Sequence, residues 1–467
     1  MKTKIILFIL AFASAHIAGA AIRHVPLQYP TIQTAITASQ NGDTVLVSPG
    51  IYFENINFRG KGIVVASLFL TTSDTAYIGS TVINGGQPVH ADTASCVIIT
   101  RGNLATSTDS TAALIGFRIT GGTGTRWEDE HNPGSVYREG GGILIQYASP
   151  RILFNRICYN QATDMTNNVS AGGGAIRCGD GNPKIRNNVI DHNQGRYGAG
   201  LVFNFSGADI RNNVIAMNWG GEDYGGGGIW AYGADGLGRE RTVQNNTIVY
   251  NSSQLGGGGL HVWSTSMVLI NNIIYRNSAA FNSQIQGSAT TQASYCDIEG
   301  GFAGNGNLDA DPLFGTMNYY LAALSPCIDK GDFAAVFNDP PDPGNPSNAK
   351  FPANGSIRND MGAYGGPGCA LMAGIPSIMT GTIGHPGIRD LTISPNPAKD
   401  KVKISLQEGI YSVKVMTIAG IELREFQFNG KEQAVIDLSS FPAGAYLLVV
   451  NSKSGATTRK IIRINGI

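Results

Sequence analysis

The residues best suited to chemistry in this chain gather around five glycine clusters: Gly140–Gly142, Gly172–Gly174, Gly198 with Gly200, Gly225–Gly228 and Gly256–Gly259. Aligned on the end of each cluster (Gly142, Ala175 just past Gly174, Gly200, Gly228, Gly259), the second residue onward is Leu144, Arg177, Val202, Trp230 or His261. The fourth is Gln146, Gly179, Asn204, Tyr232 or Trp263. The first and third positions are apolar or small, so in an extended chain they face inward and the second and fourth face out. Trp230, Tyr232, His261 and Trp263 then share one face, with Arg177 and Asn204 beside them. Aromatic faces stack on the apolar faces of sugar rings, while fixed polar groups bond the hydroxyls. Trp230, Tyr232, His261, Trp263 and Asn204 are therefore the expected binding residues, and a polysaccharide or other glycan the expected partner.

Catalysis needs more. β-Elimination from a uronate requires a base and a charge neutraliser, for which His261 and Arg177 are the candidates. Hydrolysis requires two carboxyl groups ~5–9.5 Å apart. The inserts "TRWEDEHNPGSVYRE" (125–139) and "WGGEDYGG" (219–226) offer Glu128, Asp129, Glu130, Glu222 and Asp223, and enter on the same face. The competing reading is that loops cover the rings as ordinary packing and that the acids only solvate the surface. "DADP" (309–312) has the oxygen donors for calcium, although Asx-turns explain it more simply. No other cofactor is expected. The cysteine spacings match no zinc pattern.

What would position these side chains is a repeat. "KIRNNVIDHN" (184–193) and "DIRNNVIAMN" (209–218) are nearly one word, which recurs as "FNRICYN", "QNNTIVYN" and "INNIIYRN". With Asn155, Asn188, Asn213, Asn246 and Asn272 as reference, every copy has Ile two residues later and Asn five later. A unit of this length, repeated, signals a stacked solenoid. Its β-branched residues and glycine runs exclude helices. Each unit should supply short strands that pair one coil away, with Ile inward and the reference Asn, in left-handed geometry, stacked at a corner. "YPTIQTAITASQ" (29–40), with Ile32, Ala35, Ile36 and Ser39 at helical spacing, should cap the first coil.

The ends read differently. Lys2 and Lys4, the apolar run Ile5 to Phe12 and Ala18-Gly19-Ala20 form a secretory signal over residues 1–20. No apolar run reaches the ~18–20 residues of a membrane span. With 33 basic and 33 acidic residues the chain has no net charge to draw it to nucleic acid. Most of the six cysteines (96, 158, 178, 296, 327, 369) suit small buried apolar positions, and Cys296 with Cys327 is the first pair to test for a disulfide. After a linker-like stretch (369–389), glycine runs vanish and alternating strands suggest a small antiparallel β-sandwich over 390–467.

The stretch "YPTIQTAITASQNGDTVLVSPGIYFENINF" (29–58), with the Gly/Asn coils, resembles the secreted right-handed parallel β-helix, or pectin-lyase-like, proteins. "YCDIEGGFAGNGNLDADPLF", "SPCIDKGD" and "DMGAYGG", between 295 and 366, resemble the closing segment of bacterial members. The resemblance covers 21–368 and implies the fold, an all-β solenoid. It implies no single activity, because the fold hosts lyases, hydrolases, esterases and adhesins. Gly50, Tyr52 and Glu54 resemble the opening of pectin methylesterases, whose later glutamine and aspartate motifs are missing. Polygalacturonase and pectate-lyase signatures are missing too. "ISPNPAKDKVKISL", "LSSFPAGAYLLVV" and "TTRKIIRI" resemble the type IX secretion sorting domain. That implies passage through periplasm and outer membrane by the type IX machinery, to the cell surface or the medium. Two function classes follow: a polysaccharide lyase or glycoside hydrolase, and a non-catalytic adhesin or surface-layer component.

Overall fold

The computed structural model describes residues 20–103, 107, 109–288, 290–315, 317–375, 391–396, 398–417, 422–452 and 455–463. The signal segment, apart from Ala20, and linker residues 376–389 lie outside the described residues.

Residues 20–375 wind into a parallel β-helix. Three parallel sheets of ten, nine and eight strands run along it, and each strand pairs with its counterpart one coil away. In the second sheet Ile157, Ile190, Ile215, Ile248 and Ile274 stand in register as one inward column. Ile143, Ile176, Leu201, Ile229 and Leu260 form another in the third. All ten are fully buried in one core. A fourth, mixed sheet projects from the corner between the second and third sheets. It is built from the inserts, including the hairpin Gly124–Glu128/Val136–Glu139 and the strand Trp219–Gly225.

The first corner explains the repeated word. The side-chain oxygen of Asn213 accepts from the backbone N–H and side-chain amide of Asn188 (2.9 and 3.0 Å), and Asn246 does the same for Asn213. The ladder starts at Asn155, passes Asn272 and ends on the Cys296 thiol. A second ladder runs through Asn160, Asn193, Asn218, Asn251 and Asn277, and ends on Gln284. Both satisfy polar groups that stacking would otherwise strand. The expected left-handed geometry belongs one residue earlier, to Phe154, Asn187, Asn212, Asn245 and Asn271 (φ 51–57°). A ladder Asn must aim its amide along the stack, so the residue before it makes the bend.

That preceding Asn has its own task. Asn187 donates to the Gly368 carbonyl, Asn212 to those of Ala363 and Gly365, and Asn245 to those of Asp360 and Gly362. The closing segment is thus a strap clasped to the corner. It buries Phe314, Tyr319, Met361 and Tyr364 in a second core against the outside of the second sheet. Met372, Ala373 and Ile375 belong to that core, and the Ile375 N–H donates to Asn318 (2.6 Å). The packed domain therefore runs past residue 368 to 375, into the stretch read as linker.

Ile32–Ala38 is the capping helix, and Ile32, Ala35 and Ile36 join the main core. Glu54 accepts from the Ile32 and Gln33 N–H groups (2.9 Å each), while Lys61 donates to the carbonyls of Ile36, Thr37 and Ser39. A carboxylate at the N-terminus and an ammonium at the C-terminus complement the helix dipole. The Tyr52 hydroxyl donates to the Ser48 carbonyl at 2.9 Å. The G-x-Y-x-E motif is therefore structural.

The cysteines are free thiols. Cys296 ends the ladder, and Cys327 donates to Asp297 (3.1 Å), so the pair proposed for a disulfide is engaged elsewhere. Cys327 is pushed far up by burial and the Asp297 charge.

The C-terminal part, Thr392–Arg463, is a five-stranded antiparallel sheet. Lys401–Thr417 pairs with Glu422–Asp437, and its second half also pairs with Gly444–Ser452. Register shifts between Ser405 and Ser412 bend it, so the sheet folds over a core containing Val402, Ile404, Val413 and Leu448.

Candidate functional site

The third sheet carries the residues singled out from sequence, in the expected register. Val202, Trp230 and His261 are partners on adjacent strands, as are Asn204, Tyr232 and Trp263. Glycine shapes the approach to this sheet. At Gly173 (φ 66°) an added Cβ would lie 2.7 Å from the Arg177 side chain, and at Gly174 one would lie 2.3 Å from the Gln194 carbonyl. Only glycine lets the chain turn there and the next coil close against it.

Exposure divides the set. Trp230 is 5 % exposed and Arg177 2 %, whereas Trp263 is 48 % exposed. The cover is the fourth sheet. Tyr197 packs edge-on against Trp230 (ring centroids 5.1 Å apart) and against Tyr137 and Tyr224 (6.2 and 5.6 Å). Trp230 lies 5.9 Å from Tyr232, and Trp263 reaches both Tyr232 (5.5 Å) and Tyr224 (6.5 Å). The face is therefore a second aromatic core whose open edge is Trp263. The expectation that Trp230 projects freely is corrected, because the inserts that enter on its face fold back over it.

Arg177 is corrected likewise. It forms a buried ion pair with Glu139 (2.6 Å) and donates to Gln146. Burial would lower its pKa, but the Glu139 charge outweighs that and raises it. Tyr197 donates to Glu139 at 2.5 Å, Gln146 donates to Asp180 (2.9 Å), and His131 meets Asp180 at 2.9 Å while stacking on Phe205 (3.7 Å). A buried cation neutralised this way has no contact with ligand, so Arg177 is not a charge neutraliser for a bound sugar.

The other candidates have partners of their own. Asp223 is held by the Arg196 fork (2.6 and 2.8 Å) and by Ser170. Burial opposes its charged form, but these contacts hold its pKa below the ordinary value. Glu222 accepts from Gln254 (3.2 Å). His261 is half-buried, and burial holds its pKa down against a hydrogen bond to the Tyr224 backbone. Asn204 is half-buried beside Tyr232. In the hairpin, Trp127 donates to Glu130 (2.8 Å), over a shallow depression of ≈ 370 Å³ lined by Arg126, Glu128, Asp129 and Pro133 as well.

In "DADP", Asp311 pairs with Arg276 (2.9 Å) and accepts from the Leu313 N–H, while Asp309 accepts from the Gly300 N–H. The Leu313 contact is an Asx-turn, and the other two tie the segment to Arg276 and Gly300. Among the described residues no group of three or more His, Cys, Asp or Glu side chains is arranged to hold a metal.

Sequence reasoning passed over Glu139, Tyr137, Tyr197, Tyr224 and His131. One signal was available. Glu139 and Tyr197 each directly precede a glycine cluster, and the strand register through Gly172 puts them in one column.

The fold and the C-terminal sheet define a parallel β-helix protein that carries an export domain. Residues 392–465 match the family model described as the secretion system C-terminal sorting domain. This assigns the tail to type IX export and the protein to the cell surface or the medium. No helix among the described residues is long and apolar enough to cross a membrane. Two crystal structures of pectin methylesterase, one a point mutant in complex with hexasaccharide IV and one in complex with hexasaccharide VII, are similar to 61 % of this chain over 90 % of theirs. Identity is 8 % in both, with TM-scores of 0.35 and 0.30, so the fold assignment rests on the stacked sheets themselves. No curated protein matches the chain.

Proposed function

We propose that this exported β-helix is a carbohydrate-binding surface protein whose contact point is Trp263, with Tyr232 and Tyr224 around it and Asn204 and His261 alongside. One observation supports the reading above others: a half-exposed tryptophan, in ring contact with two tyrosines, mounted on a sheet fixed to a solid core. A ring so held loses little freedom on binding, which favours stacking on a sugar.

Binding without turnover fits the partners of the candidate catalytic groups. Arg177 is tied to Glu139 and Asp223 to Arg196, which leaves no free base and cation pair on the face. That favours the adhesin or surface-component class over the lyase class. The purified full-length protein should bind a glycan on an array, and Trp263→Ala should weaken that binding about ten-fold or more, given that aromatic stacking of a ring of this size is worth ~1–3 kcal/mol. Unchanged binding in the variant would remove this face from the function. Release of unsaturated or reducing ends from the bound polymer would restore the enzymatic class.

A further inference from the structure

Resting on that reading, we propose that the Trp263 face takes a glycan without anionic groups, uncharged or amine-bearing, and discriminates against uronate polymers. The cations nearest the edge are already engaged or buried. A uronate carboxylate would need a cation near the aromatic edge. Arg177 is buried and occupied by Glu139, Arg196 is forked onto Asp223, and Arg138 is buried between Asp92 and Asp164 (3.2 and 3.4 Å). Arg241 has no carboxylate partner among the described residues, but it is buried, with its guanidinium turned to the carbonyls of Tyr232 (3.4 Å) and Gly233 (2.6 Å).

The carboxylates show the opposite pattern. Glu128, Asp129, Glu130 and Glu222 have no Lys, Arg or His partner within 4 Å among the described residues. Their contacts are the Gly134 and His131 N–H groups, the Trp127 indole and the Gln254 amide. One carboxylate oxygen of Glu130 and one of Glu222 are buried with no hydrogen-bond partner. Arg126 is the exposed cation of the hairpin, and it contacts the Asn167 carbonyl.

These acids connect to the open edge through the tyrosines. Glu222 is two residues from Tyr224, whose ring meets Trp263, and Asp129 lies near enough to Tyr137 to perturb its hydroxyl. A negative field at the edge repels an anionic chain as it arrives. It attracts an ammonium group, which the Trp263 ring also favours. The unpartnered Asn204 oxygen is an acceptor, which suits a sugar hydroxyl or amine donor and not a second carboxylate.

The test is calorimetry on the full-length protein with three oligomers of equal length: galacturonate, a neutral hexose and glucosamine. At about 20 mM salt the galacturonate oligomer should bind about ten-fold or more weakly than the better of the other two. The gap should narrow at about 0.5 M salt, where the Debye length falls below 5 Å. Glu128→Gln with Glu222→Gln should narrow it as well, without altering affinity for the neutral oligomer. Whether the neutral or the glucosamine oligomer binds best identifies which ligand the face takes. Galacturonate binding as tightly as both, in a manner lost on Trp263→Ala, overturns the charge argument and leaves the binding face standing. Insensitivity of all three oligomers to Trp263→Ala overturns the face itself.

Discussion

Neighbouring asparagines should behave in opposite ways when replaced, and Asn212 with Asn213 is the sharpest case. Asn213 is fully buried. Its amide donates to the carbonyls of Ile185 (2.8 Å) and Arg211 (3.0 Å) and to Asn246, and its oxygen accepts twice from Asn188. Asn213→Ala leaves the Asn188 backbone N–H without its acceptor in a place water does not reach. It also strips a donor from the Ile185 carbonyl. One orphaned buried group costs ~1–3 kcal/mol, and with the partly orphaned neighbours the total should reach ~3–5 kcal/mol. Asn212 instead sits at φ 54° and donates outward to the strap at Ala363 (3.1 Å) and Gly365 (2.7 Å). Asn212→Gly keeps the backbone geometry and removes only the clasp. The coil should keep its stability to within ~1 kcal/mol while the strap opens. Urea unfolding followed by circular dichroism measures the first effect, and limited proteolysis between 325 and 375 the second. Hydrogen exchange at Asn188 locates the damage, since a solenoid need not unfold in one step. A loss below ~1 kcal/mol for Asn213→Ala, or equal losses for both variants, would refute this division of labour.

The strap should also respond to pH. Asp339 and Asp360 are buried, and burial, helped by the Asp360 charge at Asp339 and by the Asp329 charge at Asp360, lifts their carboxyls to about 8 and about 7. Unfolded carboxyls titrate near ~4, so the folded state holds these protons more tightly, and the stability they add is complete below pH ~4 and lost as pH rises to about 8. Proteolysis of the strap should therefore be faster at pH 9 than at pH 5, and Asp339→Asn should flatten that difference; an unchanged difference would clear Asp339 of the effect. Arg177→Met should destabilise by ~3–5 kcal/mol because Glu139 is left buried and charged, and adding Glu139→Leu should recover most of it. Thermal unfolding of the two variants checks this, and a double variant no better than the single one would mean the pair is not what holds the site. Deleting residues 392–465 should leave a folded β-helix inside the cell, and its appearance in the medium would contradict the export assignment.

The coil was legible because its demands are local and repeat. The inward isoleucine column and the corner asparagines recur in every unit, since each coil must bury the same side chain and satisfy the same polar groups as the last. The helix Ile32–Ala38 was legible for the same reason, through its apolar spacing, and the sorting domain through motifs confined to 75 residues or so. Even the outward register of Trp230, Tyr232, His261 and Trp263 followed from counting along strands.

What the count could not reach was the layer outside the coil. Strand alternation says which way Arg177 and Trp230 point, but not that residues 124–139, 194–197 and 219–225 return to lie on them. That return pairs Glu139 with Arg177 and Tyr197 with Trp230, contacts between residues 38 and 33 positions apart with no period to betray them. Asn212 and Asn213 were indistinguishable as letters for a similar reason. One faces the stack and the other the strap, and the strap arrives from 150 residues away. The linear pattern determined the coil and its facing, because these obey spacing. The tertiary structure alone decided which outward groups meet solvent, because that depends on where the inserts and the strap come to rest.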